Sequence, residues 1–346
     1  MNRIGVGIIG AGAATQAIHL PALAALGDRL QPVHIADPDQ GVGEQVAARV
    51  RARWSADAQA VIDDQAVDIV AICSPDWVHA DQVEAACRAG KKAVLCEKPL
   101  AKTEADATRI AEASTNSGVP VIVGTMHRYD PAFVAARSAW QGFGSRRVFV
   151  RSAIYLPDNN EMTSLATNQA GSTITPGAGP APDETPEATA EALRNSVLGL
   201  AIHNLPLIRT LIPGPVDVLE ARLMRPYGYS ITIGDGLRIA RLAALMPGRW
   251  DPSWTLEAWD DRQHLEVRFP PSYVLAGSSA AALTTQNGSR SWRFRESGYE
   301  TQWRHVADVA AGQASPDVSV HEAVADLRYA IAIADGAART VLERTS

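Results

Sequence analysis

The stretch VLCEKPLAKT, residues 94–103, joins an apolar strand to a pair of charged side chains. Glu97 and Lys98 follow the strand directly, and Pro99 restricts the next backbone angle. At the carboxyl end of a parallel strand, these side chains would face the ligand crevice of an open α/β sheet. A lysine there can polarise a substrate oxygen or relay its proton while a hydride leaves the carbon. We predict that Lys98 is the main catalytic residue and that Glu97 orients it by ion pairing. The alternative is an ordinary surface salt bridge.

A glycine turn near the start of the chain could hold the cofactor for such a hydride transfer. The segment GIIGAGAATQAIHLPAL, residues 7–23, places Gly10 and Gly12 between an apolar strand and a helix. Glycine permits a tight turn close to a pyrophosphate, and the helix offers free N–H groups and a positive dipole end. Thr15 stands at the third fingerprint position, so the motif is weak alone and is strengthened by its context.

The end of the second strand indicates which dinucleotide is bound. Asp37 lies 22 residues after Thr15 (37 − 15). A carboxylate at such a position accepts hydrogen bonds from a ribose 2′-hydroxyl and repels a 2′-phosphate. Pro38 follows, where an NADP enzyme often offers arginine. We therefore predict NAD, with NADP less favoured; the alternative is a tight turn beside a surface aspartate.

Alternating strands and helices in the first third of the chain must position these residues. Apolar strands are predicted at 4–9, 32–36, 69–72, 93–96 and 119–124, with helices near 14–27, 39–54, 77–89 and 104–117. Continuous apolar strands between helices are typical of parallel βαβ units. Thr103 and Asp106 have the spacing of a helix N-cap, and Gly118 stands where the helix would end. We predict a Rossmann domain, with a doubly wound parallel sheet, over residues 1–126.

The remaining residues, 127–346, predict a second, α+β domain. Runs typical of strands occur at 146–155, 216–224, 237–246, 254–260, 263–269 and 273–284. The turn signals between them favour a large, mostly antiparallel open sheet. A last helix, about 319–340, begins at the capping-box pair Ser319 and Glu322 and could pack back on the Rossmann domain. Residues 157–186 are predicted to form either an active-site lid or a mobile insert.

The bulk composition argues against several classes of function. The net charge is −6 and no long Lys/Arg run occurs, so we expect no nucleic-acid partner. No apolar stretch reaches the roughly 18 residues that a bilayer requires, so we expect no membrane partner. The three cysteines are an odd number in apolar settings and indicate reduced thiols in a cytoplasmic protein. Without CxxC, HExxH or a dense carboxylate cluster, no metal is predicted.

Together these blocks resemble the Gfo/Idh/MocA family of oxidoreductases, which includes glucose–fructose oxidoreductase and inositol dehydrogenase. The matching blocks are residues 7–23, the strand end at Asp37, ICSPDWVHADQVEAACRAGKKAVLCEKPLAKT (72–103) and GTMHRYDPAF (124–133). They cover the nucleotide domain, whereas the second domain resembles the family only in outline. The resemblance implies a carbohydrate-like substrate, oligomer contacts through the open sheet, the family lysine at Lys98 and a cis Lys98–Pro99 bond. The predicted cofactor-binding residues are Gly10, Gly12, Ala13, Ala14, Asp37, Ser74, Pro75, Trp77, His79, Glu97 and Lys98.

A second family signature, an aspartate followed four residues later by a histidine, is only partly present. In LRNSVLGLAIHNLPLIRTL, residues 193–211, His203 matches the histidine, but Gly199 stands at the aspartate position and Pro206 at a later acidic one. Without the carboxylate, the charged form of His203 loses a stabilising partner. We expect the helix to break at His203 and Asn204 to cap the next segment. His203 is predicted to be a catalytic, substrate-binding acid–base residue; the alternative is a satisfied core histidine.

Other side chains are candidates for contact with the substrate. Tyr155 or a residue of 157–186 could replace the missing carboxylate, or Lys98 could carry more of the proton transfer. Arg128 is a further candidate, although together with Asp130 it favours an ion pair between domains. Three tryptophans, Trp250, Trp254 and Trp259, could stack on sugars but more often form core or a subunit interface. The predicted substrate residues are Lys98, Arg128, Tyr155 and His203.

The leading hypothesis is an NAD-dependent dehydrogenase or reductase that acts on a sugar, inositol or related polyol. It transfers a hydride between nicotinamide and a hydroxyl or keto carbon. We expect a homo-oligomer, a dimer or tetramer, formed through the C-terminal sheet. Two alternatives stay open. Gly199 and Pro206 favour a non-catalytic NAD-binding sensor or regulatory protein. The other alternative is a sugar hydrolase or lyase that uses NAD for transient oxidation.

Overall fold

The computed structural model describes residues 3–140, 147–167, 185–247 and 251–345. Two sheets lie within these ranges, and the predicted boundary near residue 126 falls between them. Trp250 and residues 168–184 of the predicted lid or insert lie outside the described residues. Among the described residues, no helix is both long and apolar enough to cross a membrane.

The first sheet is built from short apolar strands that are buried on both faces. Within the described residues it has six parallel strands in the order β3-β2-β1-β4-β5-β6. This order reverses between β1 and β4, and ligands bind at the carboxyl ends of the strands at such a switch point. The predicted doubly wound sheet is therefore confirmed. The strands are β1 Ile4–Ile9, β2 Leu30–Ala36, β3 Arg53–Ser55, β4 Ile69–Ile72, β5 Ala93–Cys96 and β6 Val121–Val123.

Helices connect these strands, and their ends follow from capping residues. The N-cap Thr103 accepts a hydrogen bond from the Asp106 N–H (3.1 Å), and Gly118 ends the same helix with a φ of 73°. The helix predicted near 39–54 was too long, because Arg51 takes a left-handed φ of 57° and edge strand β3 follows. A π-helical turn, Thr15–His19, continues into α1 Leu20–Ala25, and the other helices are α2 Gln40–Val50, α3 Ala58–Asp63, α4 His79–Arg88 and α5 Glu104–Ser117.

The second sheet has, within the described residues, eight strands in the order β14-β13-β12-β11-β7-β10-β9-β8. Only the β7–β10 pair is parallel among these, so the predicted mostly antiparallel sheet is confirmed. Its strands are β7 Val148–Tyr155, β8 Asp217–Leu223, β9 Tyr227–Gly234, β10 Arg238–Met246, β11 Ser253–Trp259, β12 Gln263–Arg268, β13 Ala280–Thr285 and β14 Gly288–Trp292.

Sequence patterns missed β9 and β14 and began β13 too early. Glycine within a strand weakens the pattern, and β9 contains Gly228 where a Cβ would lie 2.1 Å from the Ala244 carbonyl oxygen. The early part of the predicted 273–284 strand is a loop in which Tyr273 takes a left-handed φ of 65°. A hydrophobic pattern shows neither the close approach of neighbouring strands at Gly228 nor the left-handed backbone at Tyr273, so it could not place β9 or the start of β13.

Helices cover one face of the second sheet and connect it to the first. The last helix packs against edge strand β8 of the second sheet and against a helix on the covered face of that sheet. It also packs against α5 and against β6 of the first sheet. The Glu322 N–H donates to Ser319 Oγ (3.2 Å), as the predicted cap requires. These helices are α6 Pro131–Ala139, α7 Asn159–Ala166, α8 Pro186–Leu200, α9 Leu205–Leu211, α10 Gly298–Ala310 and α11 Val320–Thr345.

A buried ion network fastens α11 to the segment after β6. Asp326 is 3% exposed and binds the guanidinium groups of Arg128 (3.1 Å) and Arg209. Arg128 also binds Glu322 (3.0 Å). Both partners of Arg128 belong to α11, so its guanidinium stabilises this junction, and its contact with a substrate stays a prediction. Asp130 instead accepts hydrogen bonds from Ser279 and caps α6.

Removal of the central carboxylate should destabilise this junction. Asp326→Ala leaves two guanidinium groups without their shared partner in a buried place, and we expect the free energy of unfolding to fall by about 3 kcal/mol. The measurement is urea-induced unfolding followed by circular dichroism. Glu220→Ala breaks the exposed ion pair with Arg222 and is the control. It should change the free energy of unfolding by less than about 0.5 kcal/mol. Equal effects of the two variants on the free energy of unfolding would contradict the stabilising role of Asp326.

Candidate active site

A cavity of about 150 Å³ lies between the carboxyl ends of the first sheet and the covered face of the second. Ala14 lines it from the helix after the glycine turn, and Glu97 and Lys98 line it from the turn after β5. His203 and Trp254 line it from the other side. The structure therefore brings together Lys98 and His203, which the sequence analysis assigned to one site.

The glycine turn has the shape that the motif predicts. Gly10 has a φ of 98°, and a Cβ there would lie 2.6 Å from the Cys73 carbonyl oxygen. A Cβ on Gly12 would meet no atom within 4 Å, so the turn is open on that side. Thr15 Oγ1 donates a hydrogen bond to the Gly10 carbonyl (2.5 Å). The third fingerprint position therefore stabilises the turn through a hydroxyl.

Asp37 lies against this turn. Its carboxylate accepts hydrogen bonds from the Ala11 N–H (2.7 Å) and the Asp39 N–H (2.9 Å). The side chain is only partly buried, and a carboxylate has about four acceptor sites. Two acceptor sites are left after these hydrogen bonds, and the contact of Asp37 with a ribose stays a prediction.

The Glu-Lys-Pro turn is organised by a buried carboxylate. Glu97 Oε1 accepts a hydrogen bond from His19 Nε2 (3.1 Å), and Oε2 accepts one from the Lys98 backbone N–H (3.1 Å). A Cβ on Gly124 would lie 2.7 Å from Oε1, so glycine makes room for the carboxylate. The Lys98–Pro99 bond is cis, as the resemblance implies.

The expected ion pair between Glu97 and the Lys98 ammonium is wrong. Among the described residues no carboxylate lies within 4.0 Å of that ammonium, since Glu97 is engaged by His19 and by backbone. Burial raises the pKa of Glu97, but the hydrogen bond from His19 and the charge of Lys98 lower it, and the net pKa lies below the usual value. Glu97 is thus an anion that shapes the turn and leaves the Lys98 amine for a ligand.

The tautomer of His19 follows from its second partner. The Trp303 indole N–H donates to His19 Nδ1 (3.1 Å). Indole nitrogen is a donor only, so Nδ1 must accept and Nε2 must carry the proton that is donated to Glu97. Trp303 is 1% exposed and belongs to α10, which the sequence analysis did not identify. A detectable signal was the capping box at Ser297 and Glu300.

His203 lies at the predicted helix break. Helix α8 ends at Leu200, a 3-10 turn covers Ala201–His203, and α9 begins at Leu205. His203 Nδ1 is buried and has no hydrogen-bond partner among the described residues. Burial, the Lys98 charge and His127 lower the pKa of His203 well below its usual value. The ring is therefore neutral at neutral pH.

Asn204 does not cap α9 as predicted, because its side chain is used in a buried network. Its Oδ1 accepts from the Trp254 indole (3.0 Å) and lies 3.3 Å from His127 Nδ1, and its Nδ2 donates to Ser152 Oγ (2.8 Å). The ring of Trp254 stands perpendicular to that of His203, with 5.1 Å between centroids. Asn204 therefore fixes the helix break against β7 and β11.

Several predicted cofactor residues lie beside the cavity without lining it. The ring nitrogens of His79 lie 3.0 Å from the Pro99 carbonyl and 2.9 Å from the Ser74 carbonyl, so this buried histidine bridges two turns. Pro75 starts a 3-10 turn, and Trp77 is 67% exposed beneath the ammonium of Lys102. Their contact with a cofactor stays a prediction.

Tyr155 does not face the cavity. Side chains alternate along β7, where Ile154 is buried and opposite Trp254, while Tyr155 is partly exposed and opposite Ser253. Trp254 lines the cavity, so Tyr155 lies on the other face of the sheet. Other lining residues were not named from the sequence; they come from α7, β9, α10 and the loop after β12: Asn159, Tyr227, Tyr299, Ser272 and Tyr273.

Sequence comparisons agree with the geometry of the first half. Residues 4–125 match the GFO_IDH_MocA family model, described as an oxidoreductase family with an NAD-binding Rossmann fold. Inositol 2-dehydrogenase 2 of Saccharopolyspora erythraea is 39% identical over 132 residues, 37% of this chain and 38% of the relative. The scyllo-inositol 2-dehydrogenase (NAD(+)) of Bacillus subtilis is 35% identical over 106 residues, 30% of this chain and 31% of the relative. Each match thus spans well under half of the relative.

Solved structures resemble the whole chain. A 3-ketoreductase of Actinomadura kijaniata, in complex with NADP and TDP-benzene, has a TM-score of 0.72 at 15% identity and 97% and 98% coverage of the two chains. UDP-N-acetylglucosamine 3-dehydrogenase of Acidithiobacillus ferrooxidans has a TM-score of 0.73 at 18% identity and 99% and 100% coverage. At these identities the likeness shows the fold. Residues 4–125 are thus similar to the NAD-binding Rossmann fold of the Gfo/Idh/MocA oxidoreductase family, and beyond them the likeness is one of fold.

Proposed function

We propose that this protein is an NAD-dependent dehydrogenase or reductase acting on a sugar, inositol or related polyol. It would transfer a hydride between nicotinamide and a hydroxyl or keto carbon. The observation that carries the proposal is the shared cavity of Lys98 and His203 beside the glycine turn. The names of the relatives, which are inositol dehydrogenases, support the substrate class.

The residues of the glycine turn fit a dinucleotide. The open space at Gly12 and the N–H groups of the following helix would receive the pyrophosphate, and Asp37 would hold the ribose. When bound, NAD supplies the hydride acceptor or donor. Because Lys98 lies at the carboxyl end of β5, its amine would meet the substrate oxygen near the nicotinamide end.

The cavity side chains would divide the proton chemistry. In oxidation the hydroxyl proton leaves oxygen as the hydride leaves carbon. His203 is neutral, so its ring N–H can donate a hydrogen bond to the reacting oxygen, whereas its low pKa disfavours an imidazolium and the hydroxyl proton does not rest there. We assign the relay to the Lys98 amine and the orientation of the reacting oxygen to His203. Neither group is held by a carboxylate among the described residues.

The test is NADH formation from NAD with myo-inositol, scyllo-inositol, common hexoses and amino-sugars. Lys98→Ala should lower kcat by about 10²- to 10⁴-fold, because general acid–base catalysis contributes that range. NADH affinity, measured by fluorescence titration, should stay the same. Lys102→Ala is the control, since that ammonium lies over exposed Trp77.

Two outcomes would favour the other functions. Micromolar NADH binding with no turnover of any substrate would favour a non-catalytic sensor. Product formation without net NADH would favour a hydrolase or lyase that oxidises its substrate transiently. Equal loss of kcat in Lys98→Ala and Lys102→Ala would contradict the role of Lys98.

Cofactor choice provides a separate prediction. Asp37→Ala should raise the affinity for NADPH relative to NADH by at least about tenfold, because the carboxylate repels a 2′-phosphate and accepts from a 2′-hydroxyl. Both dissociation constants are measured by protein fluorescence. Asp57→Ala, which removes the exposed N-cap of α3, is the control and should leave the ratio unchanged. If the unmodified protein binds NADPH more tightly than NADH, the proposal that NAD is its cofactor is refuted.

We also propose a cytoplasmic homo-oligomer. The cysteines are free thiols, which suits a reducing compartment. On the face of the second sheet without helices, Phe149 is 38% exposed and packs 5.4 Å from Trp259, which Arg151 covers. Phe149→Asp should lower the mass measured by light scattering, whereas Leu237→Asp, in the exposed β9–β10 turn, should not. A monomeric unmodified protein at micromolar concentration would disprove this assembly.

A further inference from the structure

At position 199, where the family signature has its aspartate, a side chain would meet the hydroxyl end of Tyr227. A Cβ added to Gly199 would lie 1.9 Å from Tyr227 Oη and 3.2 Å from Tyr227 Cζ. Tyr227 is the first residue of β9, and its hydroxyl donates to the Asn195 carbonyl on α8 (3.0 Å). The phenol oxygen therefore occupies the place where a carboxylate side chain at 199 would begin.

The Tyr227 hydroxyl belongs to the same cavity as Lys98 and His203. Burial raises the pKa of Tyr227, so the phenol keeps its proton at neutral pH. That proton is directed to the Asn195 carbonyl, and the hydroxyl oxygen retains two acceptor lone pairs. It can thus accept a hydrogen bond, as a carboxylate would, but without a charge.

We propose that Tyr227 is a substrate-binding residue that takes the place of the absent carboxylate, its hydroxyl oxygen accepting a hydrogen bond from a hydroxyl of the polyol or sugar. This inference rests on the proposed function, because it names a ligand of the same cavity. It also explains why Gly199 and Tyr227 occur together: the phenol fills the space that glycine leaves empty.

A phenol in place of a carboxylate changes the chemistry of the site as well as its shape. A hydrogen bond to a charged acceptor is roughly twice as strong as one between neutral groups, so the phenol binds a hydroxyl more weakly than a carboxylate does. A phenol also gives no charge stabilisation to a His203 imidazolium. The site therefore keeps a neutral acceptor next to a neutral histidine, and the Lys98 amine is the group that is left to relay the proton.

The steric part of the inference is tested without a substrate. Gly199→Ala should lower Tm in the unmodified background, because the added Cβ meets the phenol oxygen. In a Tyr227→Phe background that oxygen is gone and the loss should be smaller, a coupling that a double-mutant cycle measures. Equal losses in the two backgrounds would overturn the claim that the phenol excludes a side chain at 199.

The binding part uses the panel substrate with the highest kcat/KM. Tyr227→Phe keeps the ring and should raise KM by roughly tenfold, the effect of one lost hydrogen bond, with NADH affinity unchanged. Tyr155→Phe, on the other face of the sheet, is the matched control and should leave KM unchanged. Gly199→Asp combined with Tyr227→Leu should move the acidic limb of the kcat/KM profile to higher pH, because a carboxylate raises the pKa of His203.

The outcomes separate this inference from the proposed function. If Tyr227→Phe leaves KM and the pH profile unchanged while the unmodified enzyme turns over its substrate, the function stands and Tyr227 only fills space. If the unmodified protein neither turns over the panel nor binds myo-inositol in its NADH complex by calorimetry, the proposed function fails and this inference fails with it.

Discussion

The site depends on one buried anion, the carboxylate of Glu97. A buried carboxylate is costly unless donors surround it, and here the donors come from distant segments. His19 lies in the helix after the glycine turn, and its tautomer is set by Trp303, 284 residues further along the chain. The backbone of Lys98 is the other donor. The turn that presents the Lys98 amine is therefore stabilised by residues from both halves of the molecule.

The predictable part of this protein is the part in which local sequence and environment agree. Parallel strands buried on both faces are continuous apolar runs, and α5 carries both of its capping residues, so these elements were predicted nearly to the residue. The position of Lys98 at the cavity was predicted because a strand end dictates where the next side chains lie. What the sequence did not show depended on partners far along the chain. The Arg128 side chain pairs with α11, and the Asn204 side chain bonds to β7 and β11. Tyr155 is different, because the alternation of side chains along its own strand places it on the other face of the sheet.

The absent aspartate illustrates the same limit. In the sequence, Gly199 indicates a defective signature and favours a protein that has lost its activity. In the structure the neighbouring volume is filled by a hydroxyl from a strand that begins 28 residues later (227 − 199). A sequence motif does not show that a residue distant in the chain, here Tyr227, fills the volume next to Gly199. Active sites of this kind are better compared by the groups that occupy a volume than by the residues at matching positions.

The placement of α11 has a consequence for synthesis on the ribosome. The first sheet is complete at β6, which ends at Val123, but α5 and β6 pack against a helix that begins at Val320. About 200 residues are translated between these points, which takes roughly 10 to 40 s at usual elongation rates. During that interval the nascent Rossmann fold lacks one of its covering helices and exposes the surface beneath it. The surface of α5 and β6 that α11 covers consequently stays open to solvent until α11 has left the exit tunnel.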